Sequence, residues 1–256
     1  EKQGIYVKKG IMLDTLPENV ANLIGEKGNF NNDTISSTLK NSGVNVVLNM
    51  IPSGLDITSN AYAEAALQAG CSFINCTPSP IVSNPSIVSA FEKAELIVVG
   101  DDLMSQFGGT SFHRGILEFM LKRGIKTSQS YQLDVGGGVE TINTIDEKNK
   151  EIKRNVKTSS ISIETPYKMD IVTGTTEYVD FMGNDRTSYY WISGEGFLRI
   201  PVRIDIYLKS NDGGNAANIL LDIIRSIQIS KEKGNYGSQN EICAYGFKTP
   251  PKLMRI

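Results

Sequence analysis

The chain has 256 residues, 40% hydrophobic and 21% charged, with a formal net charge of -2. That is enough apolar material for one large core or two, and the charge balance supplies no overall attraction to nucleic acid or to an anionic membrane. No apolar run reaches the roughly 18 to 20 residues that span a bilayer, and the opening EKQGIYVKKG has no hydrophobic signal core, so a soluble, cytoplasmic protein is expected.

Cysteine and histidine usage narrows the chemistry. Cys71, Cys76 and Cys243 are too few for a disulfide scaffold and lack metal-site spacing, which reads as free thiols in a reducing compartment. His113 is the sole histidine, so a zinc site of several histidines is excluded and any histidine triad would depend on it alone. It stands among Phe112, Ile116, Phe119 and Met120, which recur at helical spacing, and the pattern favours packing or capping over catalysis. Proton transfer then falls to lysines, carboxylates or groups of a substrate.

In chain order, residues 44–50 form a continuous apolar run of strand character. Tyr62, Ala65, Ala66 and Ala69 make a helical stripe that stops at Gly70, and residues 71–75 read as the next strand. A helix over Pro85–Lys93 and a strand over 96–99 follow. Strand and helix alternating through short connections predicts a parallel sheet with right-handed crossovers. Asp101 and Asp102, in GDDLMSQFGGTSFHR, come directly after the last of these strands. The loops IPSG (51–54) and CTPSP (76–80) share that carboxyl edge, where open α/β sheets bind ligands. Small residues there suit both tight turns and close approach of a flat ligand, and both readings stand.

Beyond Gly124 the character changes. Residues 131–135 read as a strand, and from about Ser159 the chain alternates in long extended stretches. Val202, Ile204, Ile206 and Leu208 oppose Arg203, Asp205, Tyr207 and Lys209, a period-two pattern that predicts largely antiparallel sheet. Ile219, Leu220, Ile223, Ile224 and Ile227 form the stripe of a helix that starts near Asp212 or Asn215; residues 231–240 are simply polar. Exposed aromatics are expected at Tyr189, Tyr190 and Trp191. The expected organisation is a Rossmann-like unit over 1–104, an inserted α+β unit over 105–228 and a return to the first over 229–256.

Several polar groupings carry chemistry. VGGGVETIN places Gly136, Gly137 and Gly138 after a strand, where backbone amides can approach an anion or a sugar, although a flexible turn explains them equally. Lys153 and Lys157 are four residues apart, on one face if the segment is helical; a solvated charged helix is the alternative. Asp212 and Asn215 open a helix, as ligand contacts or as an ordinary cap, and Lys248 precedes the rigid pair Pro250 and Pro251.

Taken in order, these segments resemble one family, the bacterial and archaeal inositol phosphate synthases. GDDLMSQFGGTSFHR is similar to their GDDIKSQ-G-T-HR, YQLDVGGGVETIN to YQLNVGGN-D-LN, KRNVKTSS to KKISKT, SNDGGNAANILLDIIRSIQIS to DSPNSAG-IDA-R, and CAYGFKTPP to SAYFMKHPP. The resemblance implies an α/β fold: a Rossmann-like parallel sheet, here without its first βαβ unit, and an inserted α+β domain with a largely antiparallel sheet. It implies NAD as cofactor, and conversion of glucose 6-phosphate to inositol phosphate by oxidation at C5, enolisation, intramolecular aldol closure and reduction. By matching positions it implies catalytic roles for Lys153, Lys157, Lys248, Asp212 and Asn143. Cofactor contacts are implied at Pro52, Ser53, Asn75, Thr77, Asp101, Asp102 and Ser105. Substrate contacts are implied at Gly136, Gly137, Gly138, Arg186 and Asn215. Ammonium groups suit this chemistry because enolisation and aldol addition both build negative charge on oxygen. A homotetramer formed through the second sheet is implied as well, and some microbial members use a divalent cation.

The departures are expectations too. Met104 and Thr187 stand where the family has lysines, and Gly138 where it has Asn. Arg186 supplies charge but cannot release a proton near neutral pH. No glycine-rich GxGxxG turn precedes a helix, so the chain reads as a fragment lacking the pyrophosphate cradle. Two other readings stand: a silent or altered NAD-binding homologue, and a dehydrogenase of another sugar phosphate or amino acid.

Overall fold

The computed structural model describes residues 7, 8, 10–15, 21, 31–145 and 147–254, with the backbone alone at Lys148. The opening stretch considered for a signal core lies mostly outside the described residues. A helix α1 (Asn32–Asn41) leads into a parallel sheet of β1 (Val46–Asn49), β2 (Ser72–Asn75) and β3 (Val98–Val99), ordered β1-β2-β3. Its crossovers are α2 (Asp56–Ala69) and α3 (Pro85–Lys93). Local chemistry sets both helices. Gly70 ends α2 in the left-handed region at φ 76°, where a side chain is strained, and Asn84 caps α3 by accepting from the Ser86 amide, with Pro85 in the first helical position.

The second half is built on α4 (Gly109–Lys122), β4 (Lys126–Gly136), α5 (Val139–Ile145), α6 (Glu147–Ser162), β5 (Asp170–Tyr178), β6 (Asp185–Glu195) and β7 (Pro201–Asn211). Then follow α7 (Asp212–Glu232) and α8 (Asn240–Gly246). The strands form one sheet ordered β5-β4-β6-β7. β4–β6 and β6–β7 are antiparallel as expected, but β5 joins β4 in parallel, so the sheet is mixed. The reason lies in α6. It runs on to Ser162, past the expected onset of extended chain at Ser159, and carries the chain back across the sheet before β5 begins. The aromatic expectation is corrected in the same way: Tyr190 is fully buried and donates its hydroxyl to the Gly109 carbonyl at 3.0 Å. Strand alternation puts only Tyr189 and Trp191 on the outer face, where Tyr131 stacks on Trp191 at 5.6 Å between ring centroids.

Two apolar cores result. One joins Phe73, Ile74, Phe91 and Val98 to Ile219, Ile223 and Ile227 of α7, so this late helix packs on the first sheet. The other sits between α4, α6 and the second sheet around Leu117, Met120, Ile161 and Ile192. The chain closes on itself between residues 101–104 and 246–249. The amides of Met104, Lys248 and Thr249 bond to the carbonyls of Gly246, Asp102 and Asp101. Among the described residues no helix is long and apolar enough to cross a membrane.

Candidate active site

A cavity of about 490 Å³ opens between the carboxyl edge of the first sheet and the inner face of the second. One wall is the loops after β1, β2 and β3, including Pro52, Ser53, Thr77, Asp102 and Ser105. The opposite wall brings Gly136 and Gly138 after β4, Asn143 of α5, Lys153 and Lys157 of α6, Arg186 of β6 and Asp212 of α7. Lys248 enters through the closing segment. Most of the side chains singled out along the sequence therefore meet in one place, although they come from nine different elements and loops.

Three ammonium groups converge there. Lys153 and Lys157 project from one face of α6, one turn apart, as their spacing predicts. Lys248 Nζ donates to Asp102 Oδ1 at 2.9 Å, and Lys153 Nζ lies 3.7 Å from the same oxygen. Burial pushes the Asp102 carboxyl up, but these two ammonium groups outweigh it and hold it below the usual carboxylate range. Its other oxygen, Oδ2, is buried and has no hydrogen-bond partner among the described residues, which leaves an acceptor for a ligand hydroxyl. Asp102 also holds a left-handed backbone at φ 62°, a strain of about 1 kcal/mol or more that the surrounding bonds maintain. For Lys153, burial and the neighbouring Lys248 outweigh Asp102, so its pKa falls below that of a free lysine. A lysine so placed releases its proton more readily than a free one.

A second charged group flanks the first. Arg186 donates to Asp212 Oδ2 at 2.9 Å and also pairs with Glu140, while Ser105 Oγ donates to Asp212 Oδ1 at 2.6 Å. Burial raises the Asp212 carboxyl, and Arg186 and Ser105 bring it below the usual range, so it stays ionised. Gly108 leaves room for this pair, because a Cβ there would lie 2.0 Å from Ser105 Oγ and 2.6 Å from Asp212 Oδ1.

Other expected site residues serve the walls rather than the space. Asp101 points away from the cavity and accepts from Asn75 Nδ2 at 2.7 Å and from the amides of Val82 and Ser83. Burial nonetheless pushes its carboxyl up to about 6. Asn75 also reaches Asn49 and the carbonyls of Thr77 and Ser79, so the two residues buckle the β2 and β3 loops together. Asn143 lines the cavity with both ends of its amide engaged: it donates to the Ser53 carbonyl at 3.0 Å and accepts from Asn149 at 3.0 Å. Gly137 packs against the turn at 179–183, where a Cβ would meet backbone at 2.6 Å. Asn215 donates back to the Asn211 carbonyl and does not line the cavity, and the residue that caps α7 is Asn211, accepting from Gly214.

Both missing lysines are located. Met104 lines the cavity, buried against Arg114, whose Nη1 is 3.8 Å from its sulfur. Thr187 alternates with Arg186 and Ser188 on β6, so it faces the far side of the sheet, and the charged position at this strand is filled by Arg186. Arg114 itself is buried in an ion pair with Glu164 at 2.6 Å and holds the Met254 carbonyl.

Asp134 is the functional residue that sequence reading missed. It is fully buried on β4, bonded by Lys157 Nζ at 2.5 Å and Ser188 Oγ at 2.6 Å. Burial raises its carboxyl, but Lys157 and Arg186 outweigh it and hold it near 2. The signal was present: Ser130, Gln132 and Asp134 share the parity that faces inward, where an unbroken apolar series is the usual pattern. His113 proves to be a packed residue, fully buried between Ser130 Oγ and Gln132 Oε1, and burial lowers its pKa to about 4.

Among the described residues no group of three or more His, Cys, Asp or Glu side chains is arranged to hold a metal ion. The cavity residues fit a nicotinamide cofactor. The orphaned Asp102 Oδ2 asks for a hydroxyl donor, and it lies at a carboxyl edge of small loop residues.

The model of the myo-inositol-1-phosphate synthase family matches residues 108–213. The inositol-3-phosphate synthase of Mycolicibacterium smegmatis is 28% identical, across 98% of this chain and 70% of that protein. The crystal structure of Ari2 superposes with a TM-score of 0.71 at 31% identity over 86% of this chain, which spans 61% of that structure. A myo-inositol-1-phosphate synthase-related protein from Thermotoga maritima shares the fold, with a TM-score of 0.81 over 95% of this chain and 71% of that one, at 20% identity. Residues 108–213 thus match the myo-inositol-1-phosphate synthase family, and over nearly its whole length the chain is a distant homologue of bacterial inositol-3-phosphate synthases.

Proposed function

We propose that this chain carries out the NAD-dependent conversion of glucose 6-phosphate to inositol phosphate, with the cavity between its two sheets as the active site. One observation carries the reading: Lys153, Lys157 and Lys248 converge on a cavity whose other wall offers Asp102 with an unpaired buried oxygen. NAD, when bound, supplies a hydride acceptor that later returns the hydride. Pro52, Ser53, Thr77 and Ser105 would line its site, Asp102 would accept from one of its hydroxyls, and Asn75 and Asp101 would hold the loops in place behind.

The chain's own residues then do the following. Lys153, with its lowered pKa, takes the proton beside the ketone and gives a proton back in the aldol step. Lys157 and Lys248 stay as fixed cations near the oxygens on which charge builds, in a site sheltered from water where such charges are worth more. They also offset the phosphate. Asp212, ionised and held by Arg186 and Ser105, orients a substrate hydroxyl, and Gly136 and Gly138 let the β4 loop approach the sugar. We further infer a homotetramer built on the outer face of the second sheet, supported by the exposed Val172 and Tyr207 beside the Tyr131–Trp191 stack. The expected division into a cofactor unit, a catalytic unit and a returning segment belongs to the same proposal.

The test is a reaction with NAD and glucose 6-phosphate, followed by phosphorus NMR and by the absorbance of reduced nicotinamide. Inositol phosphate without net reduced cofactor supports the synthase. Stoichiometric reduced cofactor points to a plain dehydrogenase, and NAD binding without either product points to a silent homologue. Met104 in the cavity wall favours one variation, an altered sugar phosphate, which the same assay reads when other hexose phosphates are supplied.

A further inference from the structure

Lys153 and Lys157 are one turn apart on one helix, yet their counter-ions differ. Asp102 serves two ammonium groups, at 2.9 Å for Lys248 and 3.7 Å for Lys153, whereas Asp134 sits 2.5 Å from Lys157 alone among the lysines. Asp134 is in turn held from behind. Gln132 Nε2 donates to both of its oxygens, at 3.0 and 3.1 Å, and Ser188 Oγ donates at 2.6 Å. With its N–H groups committed there, Gln132 presents Oε1 to His113 Nδ1 at 3.2 Å, and His113 Nε2 accepts from the Ser130 hydroxyl at 2.6 Å. In this arrangement every donor meets an acceptor. The start of α4 closes the set, since a Cβ on Gly109 would lie 2.3 Å from Gln132 Nε2 and 3.5 Å from Asp134 Oδ1, and the positive end of a helix favours a carboxylate.

We propose that the buried series Ser130, His113, Gln132 and Asp134 is a positioning device that fixes Lys157 as an immobile ammonium, so that Lys153 exchanges the proton and Lys157 supplies charge only. The division rests on the lysine chemistry given above. Asp102, Asp212 and Lys153 also act on Lys157, and Arg186 and Tyr190 act on Asp134. Of all these groups only Asp134 touches the Lys157 ammonium. None of the members except Lys157 lines the cavity, so their effect passes through it.

Lysine acetylation by acetic anhydride across a pH series, read at each lysine by peptide mass spectrometry, tests this in the intact chain without turnover, because only the neutral amine reacts. Lys153, which shares its counter-ion with Lys248, is expected to label faster than Lys157, which has Asp134 at 2.5 Å, throughout the series. Asp134→Asn keeps the size of the side chain and removes its charge; it is expected to raise Lys157 labelling about tenfold or more with Lys153 unchanged. Gln132→Met, which leaves Asp134 ionised and held by Ser188 but without its Gln132 donor, is expected to raise it by a smaller factor, and it serves if the first variant does not fold. Equal labelling of the two lysines in the unaltered chain, or a Lys157 rate unmoved in either folded variant, overturns the proposal. A labelling pattern as expected without any inositol phosphate would defeat the functional reading alone, and turnover with equal labelling would defeat this one alone.

Discussion

The two faces that enclose the cavity are built on opposite principles. The parallel sheet has an apolar core, from Phe73 and Val98 to the isoleucines of α7, with Asn75 bonded to Asn49 and Asp101 at its carboxyl edge, and it offers the cavity only what its loops present. The second sheet turns a polar face inward: Ser130, Gln132, Asp134, Thr173, Thr175 and Ser188 are all buried. Burying such groups costs free energy unless each finds a partner, and here Ser130, Gln132, Asp134 and Ser188 find theirs in one another, in His113 and in Lys157 of the cavity wall. The apolar packing does not respond to pH, and in this region the pH-sensitive group is Asp101 at its edge, with its carboxyl pushed up to about 6. The polar region exchanges stability for electrostatics and should respond to pH.

The largest effect expected on the polar side is at the proton carrier. Lys153→Ala should lower turnover about a thousandfold, within the range of a lost general acid–base group, with the melting temperature little changed. Lys153→Arg should keep the charge and still fail. Next is the buried ion pair beneath the cavity. Arg114→Met should destabilise the fold by about 3 kcal/mol in denaturant unfolding, because Glu164 loses its charged partner and the Met254 carbonyl its donor.

A comparison of equal magnitudes separates the two principles. Ile223→Ala should cost about 3 kcal/mol at every pH, a cavity in an apolar core. His113 should give a similar figure that depends on pH. In the unfolded chain it takes a proton near 6.5, in the folded chain only near 4, so stability is full above 6.5 and falls by about 3 kcal/mol as pH drops through that window. His113→Gln should flatten that slope, and unfolding curves with unchanged pH dependence would contradict the account of the polar face. The smallest effect belongs to local structure. Asn84→Ala removes the cap of α3 and should cost about 1 kcal/mol at any pH.

How much was legible in the sequence follows the same division. The apolar frame could be read: α3 has its predicted bounds, and the strands at β1 and β2 fall within one or two residues of expectation, because hydrophobic runs and caps are local signals. The α6 lysine pair was legible for the same reason. The polar face was not. Asp134 lies in a segment that scans as an ordinary strand, and its significance depends on Lys157, 23 positions on, and Ser188, 54 positions on. The side that Thr187 faces was not legible either, because a motif match aligns letters and not faces; one step along a strand reverses the side chain. The parallel seat of β5 likewise depends on where a helix stops, which no periodicity reports.

The central claim is that one cavity holds the cofactor and the lysines together, so that a hydride removed from the sugar returns to it before the cofactor leaves. Glucose 6-phosphate deuterated at C5 tests it most directly. The account predicts inositol phosphate that retains the deuterium, with no reduced cofactor released. Deuterium found in free reduced nicotinamide, or missing from the product, would contradict it.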